Sequence, residues 1–68
     1  MIPLNSSNLD AAEYDGAARA LTIRFKDGQT YRYDGVPEAT AAGLFGADSK
    51  GSYFHRAIKG IFPYEQIG

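Results

Sequence analysis

The stretch Asp48-Ser-Lys-Gly-Ser-Tyr-Phe-His-Arg-Ala-Ile-Lys59 holds most of the side chains in this sequence with types and spacing suited to chemistry. Ser52 and His55 stand three apart, so on a helix they lie side by side as a nucleophile and a base. A triad also needs a carboxylate to orient the imidazole, and an oxyanion hole. Asp48 lies four residues before Ser52 and seven before His55, a spacing that does not bring it to the ring. Ser49 and Lys50 are adjacent, which points their side chains apart on a helix, so a Ser–Lys dyad is no better placed. Two polar residues on a solvated helix face is the simpler account. No catalytic residue and no enzymatic activity is therefore expected. With no cysteine and one histidine, the chain offers no disulfide, thiolate, zinc-finger or multi-histidine centre. No metal ligand and no cofactor is expected.

The same residues suit anion binding better. A helix that begins near Ser49 exposes unpaired N–H groups and a partial positive charge. Lys50 adds a full charge, and Gly51 has no side chain to keep a phosphate from the backbone. The segment is not a phosphate-binding loop of the Walker type, because the preceding glycine spacing is missing. Ser49 as a plain helix cap, with Gly51 allowing close packing on a sheet, accounts for the same residues without a ligand.

Arg56 and Lys59, with His55, form a basic stripe one turn further on. Such residues contact phosphates and position nucleic acid without reading sequence; a solvated helix face explains them equally. Residues 1–48 hold seven carboxylates and four Lys or Arg, whereas the rest holds three Lys or Arg, one carboxylate and His55, so positive charge gathers toward the C-terminal end. In Tyr31-Arg32-Tyr33, tyrosines on an open sheet are suited to stacking bases. If they face the core instead, Arg32 and Arg24 share the opposite face as secondary candidates for phosphate or partner contact. The site expected from sequence is thus Ser49, Lys50, Gly51, Arg56 and Lys59, with Arg24, Arg32 and His55 behind it.

These side chains need elements to hold them. Leu21, Ile23 and Phe25 alternate with Thr22, Arg24 and Lys26, the period of a half-buried strand, and Gln29–Tyr33 is a second strand. A two-residue Asp27-Gly28 turn would put the two apolar sets on opposite faces. A three-residue Lys26-Asp27-Gly28 loop, with Gly28 at positive φ, instead pairs Phe25 with Gln29, Ile23 with Tyr31 and Leu21 with Tyr33 on one face. Asn8–Tyr14 is a weaker strand whose broken parity predicts a bulge. Pro37-Glu38 opens a helix carrying Ala41, Leu44 and Phe45, with Gly46 as its stop. Asp48-Ser49 opens the next, with Tyr53, Phe54, Ala57, Ile58 and Ile61 on one side and Gly60 and Pro63 ending it. The expected fold is α+β: a three-stranded antiparallel sheet followed by two helices on one face, in the order β-β-β-α-α. Leu21, Ile23, Phe25, Tyr31, Leu44, Phe45, Phe54 and Ile58 are the expected core.

At 68 residues, with 44% hydrophobic residues and no linker or repeat, the sequence reads as one small globular domain. A chain of this size buries only about 60% of its unfolded surface, so self-association would add to a thin stability. No apolar run reaches membrane-span length, and the first residues lack the basic and apolar regions of a signal peptide, so a cytoplasmic location is expected. A net charge of −1 argues against a basic nucleic-acid binder as a whole, though not against a local patch.

Tyr31-Arg32-Tyr33, Gly35-Val36-Pro37, and Ser49-Lys50-Gly51-Ser52-Tyr53-Phe54 leading to Ile58 and Phe62-Pro63-Tyr64 together resemble the KTSC domain family. Asn5-Ser6-Ser7-Asn8-Leu9 and Tyr14-Asp15 resemble it too, so the likeness spans nearly the whole chain. His55 departs from it, standing where an asparagine is common. The family takes its name from the C-terminus of some lysyl-tRNA synthetases and also occurs as short bacterial and phage proteins. The resemblance implies a small module of unestablished molecular function, with RNA binding suggested by the synthetase association. RNA or a nucleotide is the first partner expected. A protein partner or a second copy of the chain, docking on an exposed sheet edge, is the alternative.

Overall fold

The computed structural model describes residues 1–68. Its centre is the hairpin of β3 (Ala20–Phe25) and β4 (Thr30–Tyr33). Leu21 pairs with Tyr33 and Ile23 with Tyr31. The Phe25 N–H donates to the Gln29 carbonyl at 2.8 Å, and Gly28 takes φ +94°. This is the register of the three-residue loop, which keeps the aliphatics and both tyrosines on one face. β2 (Leu9–Asp15) runs antiparallel to β3, with a register shift between Leu9 and Ala11. The bulge restores parity: Ala12 and Tyr14 then lie across from Ile23 and Leu21.

The sheet has five strands, not the three expected. β1 (Ile2–Pro3) pairs with β2, and β5 (Tyr64–Gln66) pairs with β4, giving the spatial order β1-β2-β3-β4-β5, antiparallel throughout. Both added strands are edges, two and three residues long. β1 includes Pro3 and β5 follows Pro63, and proline is tolerable at an edge where one side of the strand needs no ladder bond.

α1 (Glu38–Gly46) and α2 (Lys50–Ala57) stand between β4 and β5 in the chain. Pro37 is the N-cap of α1, and Gly46 is its last helical residue rather than the residue beyond it. Ser49 caps α2, its Oγ accepting the Ser52 N–H at 3.4 Å. The two helices are clamped by the Tyr53 hydroxyl, which donates to the Thr40 carbonyl at 2.9 Å across the bare surface of Gly43. At its other end α2 unwinds sooner than the apolar spacing suggests. Ile58 is already off helical geometry and Gly60 takes φ +80°, so Ile61 swings out and is 59% exposed instead of joining the core.

Leu21, Ile23, Leu44, Phe54 and Ile58 are buried as expected, whereas Phe25, Tyr31 and Phe45 are only partly covered and pack against the cluster from its border. Leu4, Leu9, Ala12, Tyr33, Val36 and Ala41 complete the core. No helix is long and apolar enough to cross a membrane.

Candidate functional site: a polar cleft beside an aromatic groove

The start of α2 faces the loop Asn5–Asn8 across a cleft of about 690 Å³ that no hydrophobic residue lines. The loop is braced from within: Ser6 Oγ accepts the N–H groups of Asn8 and Leu9, each at 3.3 Å. Ser49, Lys50, Gly51, His55 and Arg56 line the opposite wall. Ser49 satisfies the Ser52 amide, while the amides of Lys50 and Gly51, ahead of the first helical hydrogen bonds, have no acceptor within the chain. A Cβ on Gly51 would meet nothing nearer than Ser6 Oγ at 3.8 Å, so packing does not require glycine there.

The structure divides the expected site residues. Ser49, Lys50, Gly51 and Arg56 gather at the cleft. The Lys50 ammonium is not free: it donates to the Ala47 carbonyl at 2.8 Å, joining the end of α1 to the start of α2 and leaving two of its three donors unused. The Arg56 guanidinium sits 5.7 Å from the centre of the Tyr53 ring, a distance suited to a cation–π contact. Lys59 lies instead at the neighbouring groove, and His55 borders both hollows.

Arg24 and Arg32 are on the other face of the sheet, engaged by carboxylates. Arg24 pairs with Asp10 at 2.8 Å, and Arg32 with Asp34 at 3.1 Å and Glu65 at 2.8 Å. The hydrogen bond from Arg32 to Asp34, and the charges of Asp34 and Glu65, hold its guanidinium above its ordinary pKa. These are the ion pairs of the structure, and Lys50, Arg56 and Lys59 belong to none of them. Asp48 also lines the cleft, but it forms no ion pair with Lys50 or Arg56.

Next to the cleft, and sharing Asn8, Gly51 and His55 with it, runs a groove of about 360 Å³ walled by aromatic rings. Phe25 and Phe54 meet edge-on at 5.5 Å, as do Tyr33 and Phe54. Tyr31 stacks on Tyr64 at 5.5 Å and 17°. The groove exists because α2 stops before it covers the end of the sheet, and because β5 brings Tyr64 alongside Tyr31 and Tyr33. Neither feature has a period that sequence reading detects. Tyr33 is 4% exposed, yet its hydroxyl makes no hydrogen bond within the chain. No partnerless side-chain oxygen is sealed inside the protein, so this hydroxyl opens into the groove it lines. Burial, with Tyr31 and Tyr64 adding to it, pushes the Tyr33 phenol up to about 12 and keeps it a neutral donor.

A five-stranded antiparallel sheet with two helices on one face, and an open cleft between the second helix and the Asn5–Asn8 loop, defines a small α+β domain. The family model for the KTSC domain matches residues 5–62, and the chain belongs to that family. A crystal structure of a KTSC domain protein from Yersinia pestis superimposes with a TM-score of 0.91 at 42% identity, covering 97% of this chain and 93% of that one. A lysine–tRNA ligase of Nostoc sp. is 43% identical over 61 residues, covering 90% of this chain but 11% of the ligase. The chain thus spans about a tenth of the length of such ligases. A protein of Tsukamurella paurometabola is 39% identical over 62 residues, 91% of this chain and 92% of its own length.

Proposed function

We propose that this domain is a non-enzymatic module that binds RNA or another phosphate-bearing ligand, with the anion seated at the start of α2. The observation that carries it is the polar cleft itself. Two amides without acceptors, the remaining donors of Lys50 and the guanidinium of Arg56 converge there, while the arginines of the other face are neutralised by carboxylates. Lys59 supplies a further phosphate contact one turn on, and His55 adds a donor between them. The occurrence of related sequence within lysine–tRNA ligases supports a nucleic-acid ligand. Docking on a sheet edge has less to work with, since both edge strands are short and β1 includes Pro3.

Three phosphate-contacting cations on a single strand give a salt slope of roughly −2, or about a 20-fold loss of affinity between 50 and 200 mM salt. A titration of single-stranded RNA at those two salt concentrations tests this. Arg56→Ala is expected to bind more weakly and to lose only about 7-fold over the same range. Affinity independent of salt, or an Arg56→Ala protein with unchanged affinity and slope, overturns the proposal.

A further inference from the structure

We infer that the aromatic groove beside the cleft is a second subsite that takes the unpaired base of a nucleotide whose phosphate sits at the start of α2. The inference rests on the phosphate-binding function above, and it assigns a role to groups which that function leaves idle.

Three independent features point to a flat ring with polar edges. The Tyr33 hydroxyl is held in an almost wholly buried residue, has no partner in the chain and opens into the groove. The oxygen is accessible and not sealed, so water satisfies it in the open groove, and a polar ring edge can take that water's place. The stacked pair of Tyr31 and Tyr64 forms the wall, with Tyr64 62% exposed, so a ring face is open to extend the stack. The groove and the cleft meet at Gly51 and His55, which places an aromatic-lined hollow next to a cationic one.

Charge sets the direction. In the cleft Lys50 and Arg56 outnumber the one carboxylate, Asp48, whereas in the groove Lys59 is matched by Asp27, which stands with Gln29 at the β3–β4 loop. The phosphate therefore lies toward α2 and the base toward the loop. The Gln29 side-chain oxygen already accepts the Tyr31 hydroxyl at 3.0 Å, leaving its amide N–H groups free for the ring edge. A wholly apolar side chain would fill the same volume but would leave the Tyr33 hydroxyl unsatisfied, which is why a base is preferred to a hydrophobic peptide anchor.

The test follows backbone amides by NMR while adenosine, cytidine, inorganic phosphate and blocked tryptophan are added separately. Affinities for a six-nucleotide single-stranded RNA and its abasic counterpart are measured in parallel. The nucleosides are expected to shift the amides of Gln29, Tyr31, Tyr33 and Tyr64. Tyr64→Ala is expected to weaken the RNA by roughly 5- to 150-fold and the abasic strand not at all. Tyr33→Phe, which removes only an unbonded hydroxyl and so keeps the fold, is expected to weaken the RNA by about 2- to 10-fold.

Equal affinity for RNA and abasic strand, with the groove amides still, overturns the base subsite while leaving the anion site standing. Nucleosides that shift the groove while phosphate leaves residues 49–53 unmoved sustain the base subsite and overturn the anion site. Blocked tryptophan shifting the groove where nucleosides do not overturns the base subsite in favour of a protein anchor.

Discussion

Gly43→Ala reverses the sign that helix propensity alone assigns. Alanine in a helix interior is better than glycine by about 0.8–1.0 kcal/mol, and Gly43 lies in the middle of α1. A Cβ at this position, however, would come within 2.6 Å of Cζ of the Tyr53 ring, and the ring's hydroxyl would be nearer still. The ring must swing away. It then gives up the hydrogen bond to the Thr40 carbonyl, about 0.5–1.5 kcal/mol, and strains the contact between α1 and α2, about 1–3 kcal/mol. Set against the propensity gain, the net effect is a destabilisation of about 0.5–3.7 kcal/mol. For a domain of this size that lowers the Tm by roughly 2–30 °C. Thermal melts of the wild type, Gly43→Ala, Tyr53→Ala and the double variant measure it. In the Tyr53→Ala background the obstruction is gone, so Gly43→Ala is expected to stabilise by about 1 kcal/mol. A Gly43→Ala protein more stable than wild type would refute the clamp between the helices, and with it the means by which α1 fixes the start of α2.

Phe54→Ala is expected to cost about 3–5 kcal/mol, since the ring is buried against Phe25 and Tyr33, and a melt matching wild type would contradict its place in the core. Gly28→Val is expected to cost about 1–2 kcal/mol in urea unfolding although no atom obstructs the new side chain, because φ +94° is strained for a β-branched residue. The Tyr33 phenol titrates near 12 when folded and near 10 when unfolded, so between those values the unfolded chain has lost a proton that the folded one retains. Stability is then full below pH 10 and falls as pH rises toward 12, a fall that urea midpoints should show as smaller in Tyr33→Phe.

The hairpin register was legible because only one loop length puts Leu21, Ile23, Tyr31 and Tyr33 on a common face. The bulge in β2 was legible for the same reason, as broken parity between Leu9 and Tyr14. β1 and β5 were not, since strands of two and three residues are too short to show alternation, and their pairing depends on where the rest of the chain brings them. Ile61 misled because its helical spacing continues past the end of the helix at Ala57, beyond which Gly60 at positive φ turns the chain away. Ser49, Lys50, Gly51 and Arg56 were singled out from residue type and position, and the structure places them at one cleft. That Tyr31 and Tyr33 line an open groove was not legible, because parity assigns a face to a tyrosine but does not show whether a helix covers all of it. The pairing of Arg24 and Arg32 with Asp10, Asp34 and Glu65 joins residues far apart in sequence, apart from Asp34, and needed the sheet order to appear.

The most direct measurement of the central claim is the response of the Lys50 and Gly51 backbone amides to inorganic phosphate and to short single-stranded RNA at low salt, in the wild type and in Lys50→Ala. An anion seated at the start of α2 hydrogen-bonds these two amides, so both are expected to move downfield with saturation, more weakly in Lys50→Ala, and to return as salt is raised. Amides of residues 49–53 that stay still with both ligands would contradict the account, and the polar cleft would then be solvated helix surface.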